Sequence, residues 1–195
     1  MGCFQRGSRE VAVLIGVMGM ACLSFRTRTY GEERTLASFS LTSPAFSEGE
    51  AIPSQHTCDG ANGSPRLQWT DPPAGTKSFA CISDDPDAKA GTWVHWVVYH
   101  IPPSVRELPE AMPADVELTN GTRQGMTDFG LPGYGGPCPP SGTHRYCFTL
   151  YALDTTLSLP LGATKRQLED AMQGHIVAQA TLMGTYRRQR QSQGD

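Results

Sequence analysis

Two stretches of the chain gather polar residues of the kind that bind or transform small molecules. The first is Ser83-Asp84-Asp85-Pro86-Asp87-Ala88, leading into Trp93-Val94-His95-Trp96. The second runs Gly133-Tyr134-Gly135-Gly136-Pro137-Cys138-Pro139-Pro140-Ser141-Gly142-Thr143-His144-Arg145-Tyr146. Each places a histidine at the start of an apolar strand, just after a Gly/Pro/Asp loop, and loops at one end of a rigid scaffold are where binding residues gather. Two imidazoles, an acid and a phenol in one cleft offer several donors to an anion. The acid favours imidazolium, whose N–H bonds to phosphate oxygens are charge-assisted. Glycines let backbone N–H groups approach a ligand, and prolines stiffen the rim and reduce the ordering entropy lost on binding. Singly these parts are bland: a histidine beside a tryptophan is usually structural, and Asp-Pro-Asp is usually a turn with side-chain to backbone bonds. Their joint occurrence is what points to a site.

Other chemistries compete for the same residues. Cys138 lies six residues before His144 and would serve as a thiolate nucleophile if the imidazole faced it. Asp85 and His95 would form a general acid–base pair. A third possibility is a protein-interaction module whose pocket is vestigial. Neither stretch supplies a serine on a sharp elbow, a metal-ligand set or a dinucleotide loop, so a non-enzymatic binding module with no cofactor and no metal is the leading expectation.

Strand-like segments must position these residues. Leu67-Gln68-Trp69, Ser78 to Ser83, Thr92 to Ile101 and Arg145 to Leu153 read as strands, the third apolar on both faces as in a strand buried on both sides. Residues 103–143 hold few apolar runs and many Gly and Pro, and read as long surface loops. Thr164 caps a helix over Lys165 to Met172 that stops at Gly174. His175 to Tyr186 suits a final strand, with helix continuation as the competitor. The pattern predicts a mainly β protein, a β-sandwich with one or two peripheral helices near the C-terminus.

The 195 residues suffice for one ordinary domain, with 38% hydrophobic and 18% charged residues and a formal charge of −3. An acidic chain without a basic stripe makes nucleic acid a poor partner. Arg6 and Arg9 precede the apolar run Val11 to Phe25, closed by Arg26 and Arg28. That design fits a secretory signal or anchor over residues 1–35 better than a membrane span, so the chain is expected to be exported, periplasmic or secreted, or attached to the membrane by its N-terminus. A buried core helix and a cytoplasmic chain are the alternative. Residues 36–188 form the expected domain and 189–195 a polar tail. Without residues 1–35 the chain has 11 basic against 16 acidic side chains, a charge of −5. Of the cysteines beyond the leader, Cys58, Cys81, Cys138 and Cys147 allow three pairings, and no CxxC suggests structural zinc. Cys58–Cys138 is favoured because both lie in turn-rich segments, whereas Cys81 and Cys147 sit in apolar strands as buried thiols.

The two polar stretches resemble the phosphatidylethanolamine-binding protein family, also called Raf kinase inhibitor-like proteins, in its bacterial branch. Asp85-Pro86-Asp87-Ala88 followed by His95-Trp96-Val97-Val98 and Ile101-Pro102 matches the family's first region, and Gly133 to Tyr146 matches its second. Agreement extends from Ile52-Pro53 and Thr57-Cys58-Asp59-Gly60 to Ala171-Met172 and Gly184-Thr185-Tyr186, covering roughly residues 39–188. The resemblance implies a Greek-key β-sandwich with a small anion pocket that accepts phosphate or a phosphoethanolamine head group of a phospholipid. Its walls would be Asp85, Asp87, Trp93, His95, Gly136, Pro137, His144 and Tyr146. His95 and His144 would contact the anion, Asp85 would orient one imidazole, Tyr146 would lend its hydroxyl, and Trp93 would supply an apolar wall. Arg145 would pair with an acid such as Asp87 on the opposite face. Lys89 stands where the family's turn has its second proline, implying a looser turn and an extra cation at the pocket mouth. The resemblance leaves a protein partner unspecified and makes a homodimer an expectation. Kinase inhibition is only a name that comes with the family.

Overall fold

The computed structural model of the chain describes residues 39–188, and the expectations for residues 1–35 and 189–195 lie outside the described residues. In chain order the elements are β1 (Leu41–Thr42), β2 (Leu67–Trp69), β3 (Ser78–Asp85), β4 (Trp93–Ile101), β5 (Glu107–Leu108), β6 (Arg123–Met126), β7 (His144–Leu153), β8 (Gly162–Thr164), α1 (Lys165–Met172) and β9 (Ile176–Tyr186). A single 3-10 turn, Ser54–His56, lies between β1 and β2. The strands form a small sheet in the order β1-β2-β5 and a large one in the order β8-β6-β4-β3-β7-β9. All neighbours are antiparallel except β6 and β8, which run parallel.

Alternation along the strands sends side chains to opposite faces of the large sheet. On one face, Phe79 and Cys81 of β3, Trp96 and Val98 of β4, Phe148 and Leu150 of β7 and Leu182 of β9 pack against Leu41, Leu67, Trp69 and Leu108 of the small sheet. On the other, Ala80, Ile82, Val97 and Tyr99 meet Leu168 and Met172 of α1 together with Leu157 and Ala163. The result is a mainly β sandwich with a helix on its outer face. Covering both faces explains why β4 is a nearly unbroken apolar run. Helix α1 begins at Thr164, whose side chain accepts from the Gln167 N–H while Gln167 Oε1 accepts from the Thr164 N–H at 2.9 Å, a reciprocal cap. His175 to Tyr186 resolves as strand, since β9 pairs along nearly the whole of β7.

Among the described residues α1 is the one α-helix, within the one or two expected. Two expectations change. Residues 103–143 are not all loop, because β5 and β6 lie within them. Strand β6 is hidden from a hydropathy reading because its inward residue is polar: buried Gln124 accepts from Trp96 Nε1 at 2.7 Å and donates to the carbonyls of Pro113 and Asp115. Cys81 is buried as expected, but Cys147, which alternates with inward-facing Tyr146 and Phe148 on β7, is only half-buried.

Register irregularities in β4 matter most for the site. Ser83 and Asp84 of β3 face Trp96 and Val94, leaving His95 as the extra residue of a bulge. Val94 consequently packs on the helix side while Trp96 faces the small sheet. The bulge carries His95 to the Trp96 side, where simple alternation would have sent it toward α1. A second bulge holds His100 at φ 57°.

Candidate functional site

Because β3, β4 and β7 are antiparallel neighbours, the end of β3 and the starts of β4 and β7 meet at one edge of the sandwich. They line a cavity of about 430 Å³ that contains Asp85, Trp93, His95, His144 and Tyr146. Tyr146 and His144 lie on the same side of β7 as Phe148, and the β4 bulge brings the His95 ring to 5.2 Å from that of Tyr146.

Both imidazoles are fixed through Nδ1. His95 Nδ1 donates to the Gly135 carbonyl at 2.6 Å, and the Gly135 N–H returns a bond to the His95 carbonyl at 2.9 Å. His144 Nδ1 donates to Asp85 Oδ2 at 2.7 Å, while Asp85 Oδ1 accepts the Asp87 N–H at 2.8 Å. A carbonyl can only accept, so the neutral His95 ring carries its proton on Nδ1 and leaves Nε2 as a lone pair. Among the described residues neither Nε2 has a hydrogen-bond partner. The Tyr146 hydroxyl is buried and lies close to Asp85 and to the Cys138 backbone, without reaching a well-formed hydrogen bond to either. Burial and the neighbouring Asp85 charge push its phenol well above the ordinary range, so it stays protonated and able to donate. Burial also lowers the His95 imidazole below its usual value, opposed by the bond to Gly135 and by the charges of Asp85, Asp84 and Asp128.

Three residues expected in the pocket wall stand behind it. Asp87 accepts from Arg145 at Nε and Nη2, at 2.9 and 2.7 Å, and from the Arg145 N–H at 2.9 Å. That guanidinium holds the Asp87 carboxyl far below the carboxylate range and locks the turn to β7, the pairing expected for Arg145. Gly136 approaches the segment around Thr57 so closely that a Cβ would lie 2.5 Å from the His56 carbonyl oxygen, and its N–H donates to Asn62 Oδ1 at 2.9 Å. The Pro137 carbonyl accepts the Cys58 N–H at 3.1 Å. Cys58 and Cys138 form a disulfide, so Cys138 lines the cavity without a thiol, and the thiolate hydrolase loses its nucleophile. The proposed Asp85–His95 pair is also replaced, because Asp85 bonds His144.

The cavity contains residues that sequence reasoning passed over. Phe129 stands edge-on to Trp93 at 5.6 Å and to His95 at 5.2 Å. Asp128 fixes its loop by accepting the Val94 N–H at 2.7 Å. A single aromatic in a Gly/Pro-rich loop has no periodicity to announce it. Ala88, Ala90, Pro139 and Pro140 complete an apolar mouth, and Lys89 is the permanently cationic side chain there. The turn carrying Lys89 is closed by the Gly91 N–H to the Ala88 carbonyl at 3.1 Å. Among the described residues no cluster of His, Cys, Asp and Glu is arranged to hold a metal ion.

Comparison with known proteins agrees with this architecture. Residues 42–187 match the family described as phosphatidylethanolamine-binding protein. A "UPF0098 protein" of Methanothermobacter thermautotrophicus is 51% identical over 148 residues, covering 76% of this chain and 98% of that protein. One from Aquifex aeolicus is 52% identical over 149 residues, covering 75% and 86%. Among solved structures, a protein of Chlamydia trachomatis described as a putative phosphatidylethanolamine-binding protein homologue superposes with a TM-score of 0.72 at 43% identity, covering 78% of this chain and 99% of its own. Escherichia coli YbcL, described as a new member of the mammalian family, gives a TM-score of 0.72 at 36% identity and 78% and 100% coverage. With most of its described length matched in sequence and in fold, the chain belongs to the phosphatidylethanolamine-binding protein family.

Proposed function

We propose that this chain is a non-enzymatic binding protein whose cavity takes a phosphate group, either free or as the head group of a phospholipid. The observation that carries this reading is the pair of imidazoles with Nδ1 committed and Nε2 unpartnered, beside a buried Tyr146 hydroxyl that also lacks a partner. Phosphate supplies what these groups need. Its oxygens accept from imidazolium N–H and from the phenol, and a P–OH donates to a neutral Nε2. A volume of about 430 Å³ suits a phosphate with a short organic arm, and pockets of this size bury most of such a ligand. The Cys58–Cys138 disulfide supports export to an oxidising compartment, in keeping with the leader read in the sequence.

The Asp85–His144 pair is also the arrangement of an oriented general base, so hydrolysis is the second reading. No serine, threonine or free thiol lines the cavity, and an attacking water would be required.

The test is an NMR titration of the full chain with inorganic phosphate and with O-phosphoethanolamine, beside Tyr146→Phe and a His95→Ala/His144→Ala double variant. Saturable shifts confined to residues 85–95 and 128–146, weakened by the first variant and lost in the second, would support the reading. An absence of shifts at millimolar ligand would end it. Turnover of phosphate or acyl esters that disappears with His144→Ala would favour the hydrolase.

A further inference from the structure

We infer that Lys89 makes this pocket select phosphate compounds whose organic arm is acidic over those whose arm ends in an ammonium. This rests on the phosphate reading above and adds the ligand class. The charges at the mouth carry the argument. Asp85 is the carboxylate that lines the cavity and is engaged by His144 and the Asp87 N–H, while outside the lining Asp84 pairs with Lys165, Asp87 pairs with Arg145 and Asp128 accepts the Val94 N–H. The rest of the mouth is apolar, formed by Ala88, Ala90, Trp93, Phe129, Pro139 and Pro140. Trp93 and Phe129 are paired edge to face with each other at 74°, so the edge of one ring already covers part of the other's face.

An ethanolammonium arm leaving the phosphate seat through the apolar mouth would therefore lose water and face the like charge of Lys89. Lys89 forms no ion pair with any described residue, although it is exposed on a turn closed by its own backbone bond. Its ammonium is free to meet a carboxylate or a second phosphate on the arm. The Arg145 guanidinium, at the start of β7, is committed to Asp87. Lys89 thus supplies the positive charge at the mouth, while His95, His144 and Tyr146 supply the seat.

The experiment is calorimetric titration of the full chain, and of its Lys89→Ala and Lys89→Glu variants, with inorganic phosphate, 2-phosphoglycolate and O-phosphoethanolamine at one pH and ionic strength. In wild type, 2-phosphoglycolate should bind roughly five-fold tighter than O-phosphoethanolamine, as expected of one exposed charge pair. The ratio should fall to about one in Lys89→Ala and reverse in Lys89→Glu, while inorganic phosphate changes less than either ester. A ratio near one in wild type, or one unchanged by Lys89→Ala, overturns the inference and leaves the phosphate reading intact. Failure of all three compounds to bind wild type overturns the phosphate reading itself. A parallel arm compares pelleting with phosphatidylcholine vesicles carrying phosphatidylserine or phosphatidylethanolamine. Preferential pelleting with phosphatidylserine assigns the acidic ligand to a lipid, and binding of the soluble ester alone assigns it to a free metabolite.

Discussion

The chain contains two histidine–aspartate pairs of nearly equal length. His144 Nδ1 lies 2.7 Å from Asp85 Oδ2, and His175 Nδ1 lies 2.9 Å from Asp154 Oδ1. The side chains of the first pair are 9% and 5% exposed, those of the second 47% and 48%. Distance alone therefore does not separate a site from a surface contact. In the exposed pair water solvates both partners and salt screens them, and the adjoining chain is held anyway by the Asp154 N–H to the His175 carbonyl at 3.0 Å. In the buried pair the carboxylate has lost its water, so the imidazole is bound into one orientation and its other nitrogen is left at the cavity. Burial turns an ordinary ion pair into a positioning device.

The largest effect should come from the wall beside the buried pair. The Cys58–Cys138 disulfide closes a loop with a sequence separation of 80. Loop-closure entropy for that length predicts that Cys58→Ser/Cys138→Ser loses roughly 4 kcal/mol, read as a lower urea midpoint. Next is the comparison itself. Asp85→Ala removes a buried partner and should cost about 3 kcal/mol, whereas Asp154→Ala should cost no more than about 0.5 kcal/mol. Equal losses in urea denaturation would mean that burial does not distinguish the two pairs. Tyr146→Phe is a finer probe. It deletes a hydroxyl without a protein partner, so stability should hold or rise slightly while phosphate affinity falls by roughly five-fold.

Titration sharpens the contrast further. Burial lowers His95 below its unfolded value, so the folded state binds its proton less readily than the unfolded chain does. Its contribution to stability is present above the ordinary imidazole pKa and is lost as pH falls through that value toward the folded one, at about 1.4 kcal/mol for each unit of displacement. Denaturation midpoints from pH 7.5 down to 5 should decline, and His95→Gln should flatten that part of the decline. Phosphate should oppose it, because a bound anion favours the imidazolium.

What the sequence disclosed follows from the range of the interactions involved. Helix α1 was legible because its cap, Thr164 with Gln167, is complete within four residues. Strands β3, β4 and β7 were legible because their burial is written as apolar runs. Strand β6 was not: Gln124 is satisfied by partners up to 28 residues away, and Gly125 is pressed against the Ala163 carbonyl where no Cβ fits. At the site, the residue types were readable, and Arg145–Asp87 was anticipated from strand alternation. The partner of Asp85 was not, because the His95 bulge depends on register between β3 and β4, which no local pattern records. Gly136 and Pro137 carry motif letters yet serve the packing of the segment around Cys58.

The smallest effect tests the other side of the comparison. If exposure is what makes His175–Asp154 inert, its interaction should vanish with salt while that of His144–Asp85 should not. The physical reason is the Debye length, about 10 Å at 0.1 M and about 3 Å at 1 M, which screens solvated charges and leaves buried ones nearly untouched. The coupling of His175 to Asp154, measured by a double-mutant cycle in urea denaturation, should be no more than about 0.5 kcal/mol at low salt and vanish at 1 M. The same salt step should leave the His144 Nδ1 proton in its bond to Asp85, visible as an unchanged downfield resonance. A salt-sensitive His144 would show that water reaches the Asp85 carboxylate, and the fixed imidazole on which the proposed phosphate seat depends would lose its basis.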